Sequence, residues 1–368
     1  MARFLPEPSF SHASPSKVGV LLVNLGSPDA PTVQALRPYL KQFLSDPRVV
    51  EIPKAIWWLI LNGIILNLRP KKSAAKYASI WTKDGSPLRV WTEKQAKLVK
   101  GYLGEQYPEQ LVVDYAMRYG NPSIESKIMQ MKAQNCQHLV VVPLYPQYAA
   151  STSASVFDEV SRVLQKIRFQ PALRIMAPFF DETPYIDALA QSVREHWQLN
   201  GRGDHLLMSF HGVPKYTLDK GDPYHCHCHK TARLLAEALG LDAGQYTVAF
   251  QSRFGKAEWL KPYTSEILHQ LGKRNLNTLD VICPGFVADC LETLEEIAIE
   301  GRDEYRAEGG KNYRYIPCLN DRDQWIAALS GLISRELTGW LTSGRADKNS
   351  KIQLNQRDIM AKHLSLQK

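Results

Sequence analysis

The stretch VGVLLVNLGSP (18–28) is an apolar run that closes on a glycine, a serine and a proline. Segments with helical periodicity separate it from further β-branched runs of the same kind. These runs lie at 111–117, 138–144, 173–179, 205–211, 246–252, 279–285 and 313–318. Short apolar strands that alternate with helices are typical of parallel sheets covered by helices on both faces. The sequence therefore predicts an α/β fold.

Three local patterns recur in the same order in the two halves of the chain. VNLGSP is answered by SFHGVP, MRYG by SRFG, and a strand that closes on Pro143 by one that closes on Pro284. Recurrence of this kind indicates an internal duplication. It predicts two similar Rossmann-like lobes, each a parallel sheet with helices on both faces, around a cleft.

We place the lobe boundaries by these landmarks. The N-terminal lobe spans 1–185, and the C-terminal lobe spans 186–320. A helix and tail over 321–368 are expected to return to the first lobe. The last 24 residues, 345–368, match no pattern that we can assign.

The composition limits the possible functions. Six cysteines, and an N-terminus that lacks an apolar signal region, predict free thiols and a cytoplasmic protein. The net charge of +8 suits an anionic partner, but scattered basic residues and the lack of zinc-finger or RNP-like motifs argue against nucleic acid. Neither a dinucleotide fingerprint nor a P-loop occurs, so the Rossmann-like pattern does not imply NAD.

The segment AIWWLILNGIILNL (55–68) is the most apolar part of the chain. It is shorter than the roughly 20 residues that a membrane-spanning helix needs. Flanking lysines and an arginine, together with two internal tryptophans, favour a helix pair that dips into a membrane surface or walls an apolar pocket. A buried core hairpin is the alternative.

His211 closes one predicted strand and is followed at once by Gly212 and a proline. In α/β sheets ligands bind outside the carboxyl ends of the strands, which is where this imidazole would lie. It could act there as a base or a metal ligand. A hydrogen-bonded structural histidine is the alternative.

Glu292, Glu296 and Glu300 are spaced four residues apart and would form one stripe on an α-helix. A solvated outer face is the ordinary explanation of such a stripe. However, the helix begins after a Pro-Gly strand end on the same edge as His211, and aligned carboxylates attract hydrated divalent cations.

The run His225-Cys226-His227-Cys228-His229 also contains metal-binding residue types. Zinc sites generally need a second pair of ligands at compatible spacing, and no such pair follows. A loop that caps the following helix is the favoured interpretation, and a metal site is the alternative.

These motifs together resemble the ferrochelatases, which insert ferrous iron into protoporphyrin IX to give protoheme and two protons in the last step of heme synthesis. The resemblance spans nearly the whole chain and is most specific in SFHGVP (209–214) and DCLETLEE (289–296). It implies a lyase with a porphyrin cleft between its lobes and an apolar lip over 55–86.

The resemblance also implies roles for individual residues. His211 and Glu292 would be catalytic, and His211, Glu292, Glu296 and Glu300 would guide the metal. Which of His211 and Glu292 takes the protons stays open. The implied substrate-binding residues are Leu25, Arg69, Tyr77, Ser86, Arg118, Tyr119, Trp259 and Phe286.

Departures from the family pattern narrow the expectation. Animal members bind an iron–sulfur cluster through cysteines, one of which is replaced here by Ala150, and no cysteine follows Cys318. We therefore expect the bacterial type, with no cluster and no other cofactor. Position 25 is Leu where other members have Met or Tyr, and position 290 is Cys where animal members have His.

The expected partners are protoporphyrin IX, ferrous iron and, through 55–68, the inner face of the cell membrane. A monomer or weak dimer is expected. Metallation of coproporphyrin, insertion of cobalt into a corrinoid precursor, and a non-catalytic porphyrin or heme carrier are the alternatives.

Overall fold

The computed structural model describes residues 4–9, 14–255 and 257–341. The strands in these ranges are β1 (Lys17–Ser27), β2 (Leu111–Gly120), β3 (Cys136–Pro143), β4 (Ala172–Ile175), β5 (His205–His211), β6 (Tyr246–Gln251), β7 (Thr278–Ile282) and β8 (Asn312–Ile316). They coincide with the eight predicted runs. The tail over 345–368 lies outside the described residues.

Helices connect the strands throughout. The α-helices are α1 (Val33–Leu44), α2 (Lys54–Ile60), α3 (Leu66–Ile80), α4 (Pro87–Gln106), α5 (Ile124–Ala133), α6 (Ser155–Leu164), α7 (Thr183–Asn200), α8 (Lys215–Asp219), α9 (Tyr224–Leu239), α10 (Thr264–Gly272), α11 (Arg302–Ala307) and α12 (Asp323–Leu337). Within the described residues, three segments are π-helical: Leu61–Ile65, Ala150–Ala154 and Glu292–Gly301.

The strands form two parallel sheets of the same topology. Their orders are β2-β1-β3-β4 and β6-β5-β7-β8, so each sheet has its first strand between its second and third. The three recurring sequence patterns fall at the ends of topologically equivalent strands. The predicted α/β fold with two similar lobes is confirmed.

Apolar side chains hold the two lobes together. One core cluster contains residues of both sheets and of α4, α7, α9 and α12. Separate clusters lie under α5 and α6 in the first lobe and under α10 and α11 in the second. Each sheet is thus covered on both faces, which explains why β1 is an almost continuous buried run rather than an alternating one.

Helix α12 returns toward the first lobe. Arg174 of β4 donates to the backbone carbonyls of Glu336 and Thr338, and Lys94 of α4 forms an ion pair with Asp321. Trp325 is fully buried and stacks near Phe179. The C-terminal helix α12 and the residues beside it therefore contact β4 and α4 of the first lobe.

The segment 55–68 is helical and largely exposed. It runs through α2, a π-helical turn and the start of α3, and Ile56, Trp58, Leu59, Ile64 and Leu68 are exposed. The alternative of a buried core hairpin is therefore wrong. No helix among the described residues is long and apolar enough to cross a bilayer.

The prediction of a capping loop over 225–229 is also wrong, because these residues form the first turns of α9. Tyr224, Cys228, Thr231, Ala232 and Leu235 are all buried, at helical spacing. The buried face of α9 thus already includes residues of the His-Cys run, which explains why the helix starts before the run instead of after it.

Candidate active site

A cavity of about 1020 Å³ lies at the carboxyl ends of both sheets. In open α/β sheets, ligands bind at the point where the strand order reverses, because the chain leaves the two neighbouring strands there in opposite directions. In this protein these points lie between β1 and β3 and between β5 and β7, and the cavity lies beside both. Helix α3 of the lip and the π-helix Glu292–Gly301 supply further wall. The volume is at the upper end of the range for small-molecule sites.

Gly26 brings β1 close to β2 at this edge. Its φ is +110°, and a Cβ there would lie 1.8 Å from the carbonyl oxygen of Tyr119. Only glycine fits such an approach. Asn24 and Leu25, the two residues before Gly26, line the cavity near the carboxyl end of β1.

His211 is the last residue of β5 and is half-buried in the cavity wall. Its Nδ1 lies 2.6 Å from the carbonyl oxygen of Gly212. A carbonyl can only accept, so Nδ1 carries the proton and the Nε2 lone pair is left for a proton or a metal. The rings of Trp259 and Phe286 lie 6.4 and 6.5 Å away, centroid to centroid.

The acidic segment is a π-helix rather than the α-helix that the spacing predicted. Side-chain spacing over ten residues does not distinguish the i→i+4 backbone hydrogen bonds of an α-helix from the i→i+5 bonds of a π-helix. Turns of π-helix are frequent at functional sites. Gln251, at the end of β6, donates to the backbone carbonyl of Glu292 over 2.7 Å. This bond fixes the start of the π-helix to the second sheet.

Glu296 is held by Ser252, the residue after β6. The Ser252 backbone N–H and hydroxyl donate to its two carboxylate oxygens over 2.6 and 2.5 Å. Burial raises the pKa of Glu296, whereas the Ser252 hydrogen bonds oppose that rise. The carboxyl group is thus held in place and takes up a proton more readily than an exposed glutamate.

Glu292 has a different environment. Its side chain lines the cavity, and the Cys290 thiol lies against it. Burial, reinforced by the Glu292 charge, raises the pKa of that thiol, so it stays protonated. No lysine, arginine or histidine forms an ion pair with the Glu292 carboxylate in the part of the chain that the structure describes, so this carboxylate is open to a cation.

Glu300 is exposed and forms an ion pair with the lip. The Lys76 ammonium lies 2.6 Å from Glu300 and 2.9 Å from Glu295, a buried carboxylate on the same π-helix. Glu300 lines the cavity with Glu292 and Glu296. The described residues, however, contain no group of three His, Cys, Asp or Glu side chains placed to bind one metal ion.

The predicted substrate residues divide into two groups. Leu25, Arg69, Trp259 and Phe286 line the cavity. Tyr77, Ser86, Arg118 and Tyr119 do not: they lie behind the wall and are buried or nearly so.

Arg118 and Tyr119 support the wall instead of facing the cavity. The Arg118 guanidinium and the Tyr119 hydroxyl both donate to Asp46, over 2.6 and 2.7 Å, and Ser155 donates to the same oxygen. Tyr77 packs edge-on against Tyr39, and Ser86 precedes the first turn of α4.

Arg69 and Arg253 are two guanidinium groups of the cavity wall, and the Lys72 ammonium lines the same cavity. The Arg69 guanidinium lies 4.5 Å from the Phe254 ring centroid, and that of Arg253 lies 4.9 Å from the Tyr263 ring. Neither has a carboxylate partner within residues 4–9, 14–255 and 257–341. Arg253 follows a predicted strand and occupies the place in SRFG that Arg118 occupies in MRYG, but it was not among the predicted substrate-binding residues.

Comparison with known proteins identifies the family. A sequence profile described as Ferrochelatase matches residues 17–337. The chain belongs to the ferrochelatase family. The ferrochelatase of Chromobacterium violaceum is 61% identical over 354 residues, covering 96% of this chain and 97% of its own. That of Dechloromonas aromatica is 59% identical over 353 residues, covering 95% and 96%.

Solved structures support the fold. SirB from Bacillus subtilis with Fe³⁺ aligns with a TM-score of 0.53 at 13% identity, covering 88% of this chain and 97% of its own. The sirohydrochlorin chelatase SirB of subspecies spizizenii, in complex with cobalt, gives 0.51 at 12%, covering 89% and 99%. The predicted ferrochelatase lyase and its chelatase-like fold are therefore confirmed.

Proposed function

We propose that this chain inserts ferrous iron into protoporphyrin IX, giving protoheme and two protons, in the last step of heme synthesis. The observation that carries the proposal is that His211, Glu292 and Glu296 line one cavity with aromatic and apolar walls. A flat apolar macrocycle fits such walls, while the polar groups sit where its centre would react.

His211 and Glu296 have the properties of a proton path. The two pyrrole N–H protons of the porphyrin must leave as the metal enters, so the site needs a base. The free Nε2 of His211 accepts a pyrrole proton, and Glu296, whose pKa is raised by burial, carries it toward the solvent.

Glu292 has the properties of a metal ligand. Its carboxylate faces the same cavity without the two Ser252 donors that hold Glu296. A carboxylate oxygen binds Fe²⁺ and eases its loss of water before the ring nitrogens take over. In this division of labour His211 takes protons and Glu292 guides iron, while Glu300 stays paired with Lys76.

Arg69 and Arg253 suit the two propionates of protoporphyrin. One lies in each lobe, both line the cavity, and guanidinium groups pair with carboxylates through two parallel hydrogen bonds.

The sequence also bears on where the enzyme works and on whether it holds a cofactor. We propose that the enzyme works in the cytoplasm as a monomer or weak dimer, without a resident cofactor. Ala150 in place of a cysteine supports the lack of an iron–sulfur cluster. The exposed apolar face over 55–68 supports peripheral contact with the inner face of the cell membrane.

Anaerobic metallation tests the proposal. Purified protein is mixed with Fe²⁺ and either protoporphyrin or coproporphyrin, and the porphyrin absorbance is followed. We expect faster turnover of protoporphyrin, and near-complete loss in His211→Ala and Glu292→Gln with porphyrin binding retained. The exposed His269 provides the control, His269→Ala, which should match the parent.

Three results would contradict it. Unchanged turnover in His211→Ala removes the proposed base. Tight porphyrin binding without turnover in the parent would instead favour a carrier, and preferred turnover of coproporphyrin would reassign the substrate.

A further inference from the structure

His225 and His229 lie one turn apart at the beginning of α9, with ring centroids 4.4 Å from each other. Residues four apart on an α-helix face the same side. Two histidines at this spacing on a helix are a recurrent way to bind one zinc ion.

A buried phenylalanine fixes both rings. Phe250 of β6 lies 5.8 Å from His225, nearly parallel to it, and 5.9 Å from His229. Phe250 is itself 1% exposed and belongs to the core cluster shared by both lobes. The imidazoles therefore rest on a rigid surface, which reduces the conformational entropy that metal binding would cost.

The imidazoles of His225 and His229 are not engaged in other polar contacts. Neither makes a hydrogen bond or an ion pair within the parts of the chain that the structure describes. His227 of the same run differs, because its Nδ1 accepts from the backbone N–H of Tyr148 and its ring stacks 3.6 Å from Phe180. The run thus contains one structural histidine and two uncommitted ones.

We propose that His225 and His229 form a two-imidazole site for a borderline divalent transition metal ion, represented by Zn²⁺, with water completing the coordination. Imidazole nitrogen suits such ions, which bind at about 2.0–2.1 Å. No third His, Cys, Asp or Glu completes the set among the described residues, so the bound ion exchanges readily. Phe250 lies between this pair and the porphyrin cavity that it also lines, so the site is separate from the cleft.

Calorimetric titration of the full-length protein with Zn²⁺, without porphyrin, tests the site. The His225→Ala/His229→Ala double variant should lose one equivalent of bound Zn²⁺. Each single variant should bind that equivalent at least tenfold more weakly. His269→Ala, which removes a lone exposed histidine of α10, should bind Zn²⁺ as the parent does.

Iron insertion should be retained in the double variant, which separates this site from the cleft and shows that the variant is folded. The proposal is overturned if the parent and the double variant bind the same number of zinc ions with the same affinity. It is also overturned if His269→Ala loses the same equivalent.

Discussion

Ser252 has a φ of 67°, a backbone conformation that residues other than glycine seldom adopt. This conformation aims its N–H and its hydroxyl at the Glu296 carboxylate together. Backbone strain of this kind clusters at functional sites, where the surrounding structure maintains it. The strain here serves to hold one carboxyl group beside His211.

Ser252→Ala should shift the acidic limb of the turnover profile upward. The variant keeps the backbone donor but loses the hydroxyl donor, which stabilises the ionised carboxylate, so the pKa of Glu296 rises further. A proton acceptor must be ionised, and the limb therefore moves to higher pH. A hydrogen bond to a charged group contributes about 1.5–3 kcal/mol, so we expect a shift of about one to two pH units.

The pH dependence of kcat for iron insertion measures this shift. Ser265→Ala removes another hydroxyl from the cavity wall and should leave the profile unchanged. An identical acidic limb in Ser252→Ala and the parent would mean that Glu296 does not carry protons in the rate-limiting step.

Arg69→Gln and Arg253→Gln should weaken porphyrin binding without slowing the chemistry. Propionate contacts are made equally in the ground and transition states, so their loss raises KM and leaves kcat unchanged. A charge-assisted hydrogen bond supports about a tenfold rise for half-buried Arg69 and about a threefold rise for the more exposed Arg253.

Steady-state kinetics with protoporphyrin and with its dimethyl ester check this assignment. The ester has no carboxylate, so the parent and both variants should treat it alike. Arg233→Gln, which breaks only an exposed pair with Glu237 on α9, is the control. Equal KM values for protoporphyrin in all variants would place the propionates elsewhere.

At the residue scale, the sequence indicates which side chains have functional chemistry better than it indicates which of them face the cavity. His211 and Phe286 were recognisable because the end of a parallel strand always opens on the functional edge. Arg118 and Arg253 occupy equivalent places in the two halves, yet only the second faces the cavity. Asp46, which turns Arg118 inward, is 72 residues away along the chain, and no local pattern reveals that contact.

At the element scale the π-helix Glu292–Gly301 and the lip helix α3 meet through Lys76. Its ammonium bridges Glu295 and Glu300. Burial opposes the charge on Lys76, but the hydrogen bonds to Glu300 and Glu295 outweigh it and raise the pKa of the ammonium. The bridge therefore persists across the physiological pH range and links the lip to the second lobe.

Lys76→Met should loosen the lip. Without the ammonium, buried Glu295, whose pKa burial already raises, loses the cation that stabilises its charge. We expect porphyrin to dissociate several-fold faster, while stability falls by no more than about 1 kcal/mol because Lys76 is partly exposed. Stopped-flow porphyrin fluorescence measures the release rate.

Lys71→Met is the matched control, because Lys71 lies on the same helix and is exposed. High salt should speed porphyrin release more in the parent than in Lys76→Met, since salt screens the bridge only in the parent, whereas it screens the propionate contacts of Arg69 and Arg253 in both. Equal release rates in the parent and in Lys76→Met would mean that the bridge does not hold the lip.

The elements themselves were predictable where apolar runs are long. All eight strands were found because both faces of each sheet are covered, which makes the runs continuous. The π-helix and the start of α9 were not found. The first depends on backbone hydrogen bonding that side-chain periodicity does not encode, and the second on Tyr224 and Cys228 acting as apolar residues in a polar run.

At the scale of the whole molecule the duplication builds the cleft. Two sheets of the same order face each other, so that the ends of β1 and β5 meet one cavity. The halves have since diverged: the second supplies His211 and the carboxylates, whereas the first supplies the lip. Sequence recurrence predicts the two lobes, but this division of roles depends on side-chain directions that only the assembled fold reveals.

The lip gives the molecule an apolar face beside the mouth of the cavity. Trp57 is anchored, since its indole N–H donates to the carbonyl oxygen of Leu44, whereas neighbouring Trp58 and Leu59 point outward. A net charge of +8 adds attraction to anionic lipid. The proposed membrane contact would let a porphyrin pass between membrane and cleft with its apolar ring shielded from water.

Leu59→Ser should therefore reduce binding to anionic phospholipid vesicles. Burial of one leucine side chain contributes about 1.5–3 kcal/mol, so the partition coefficient should fall roughly tenfold or more. Leu199→Ser is the matched control, because Leu199 on α7 is 85% exposed, compared with 65% for Leu59, and lies outside the lip. Vesicle sedimentation measures binding, and an equal effect of the two substitutions would show that the lip is not the surface that meets the membrane.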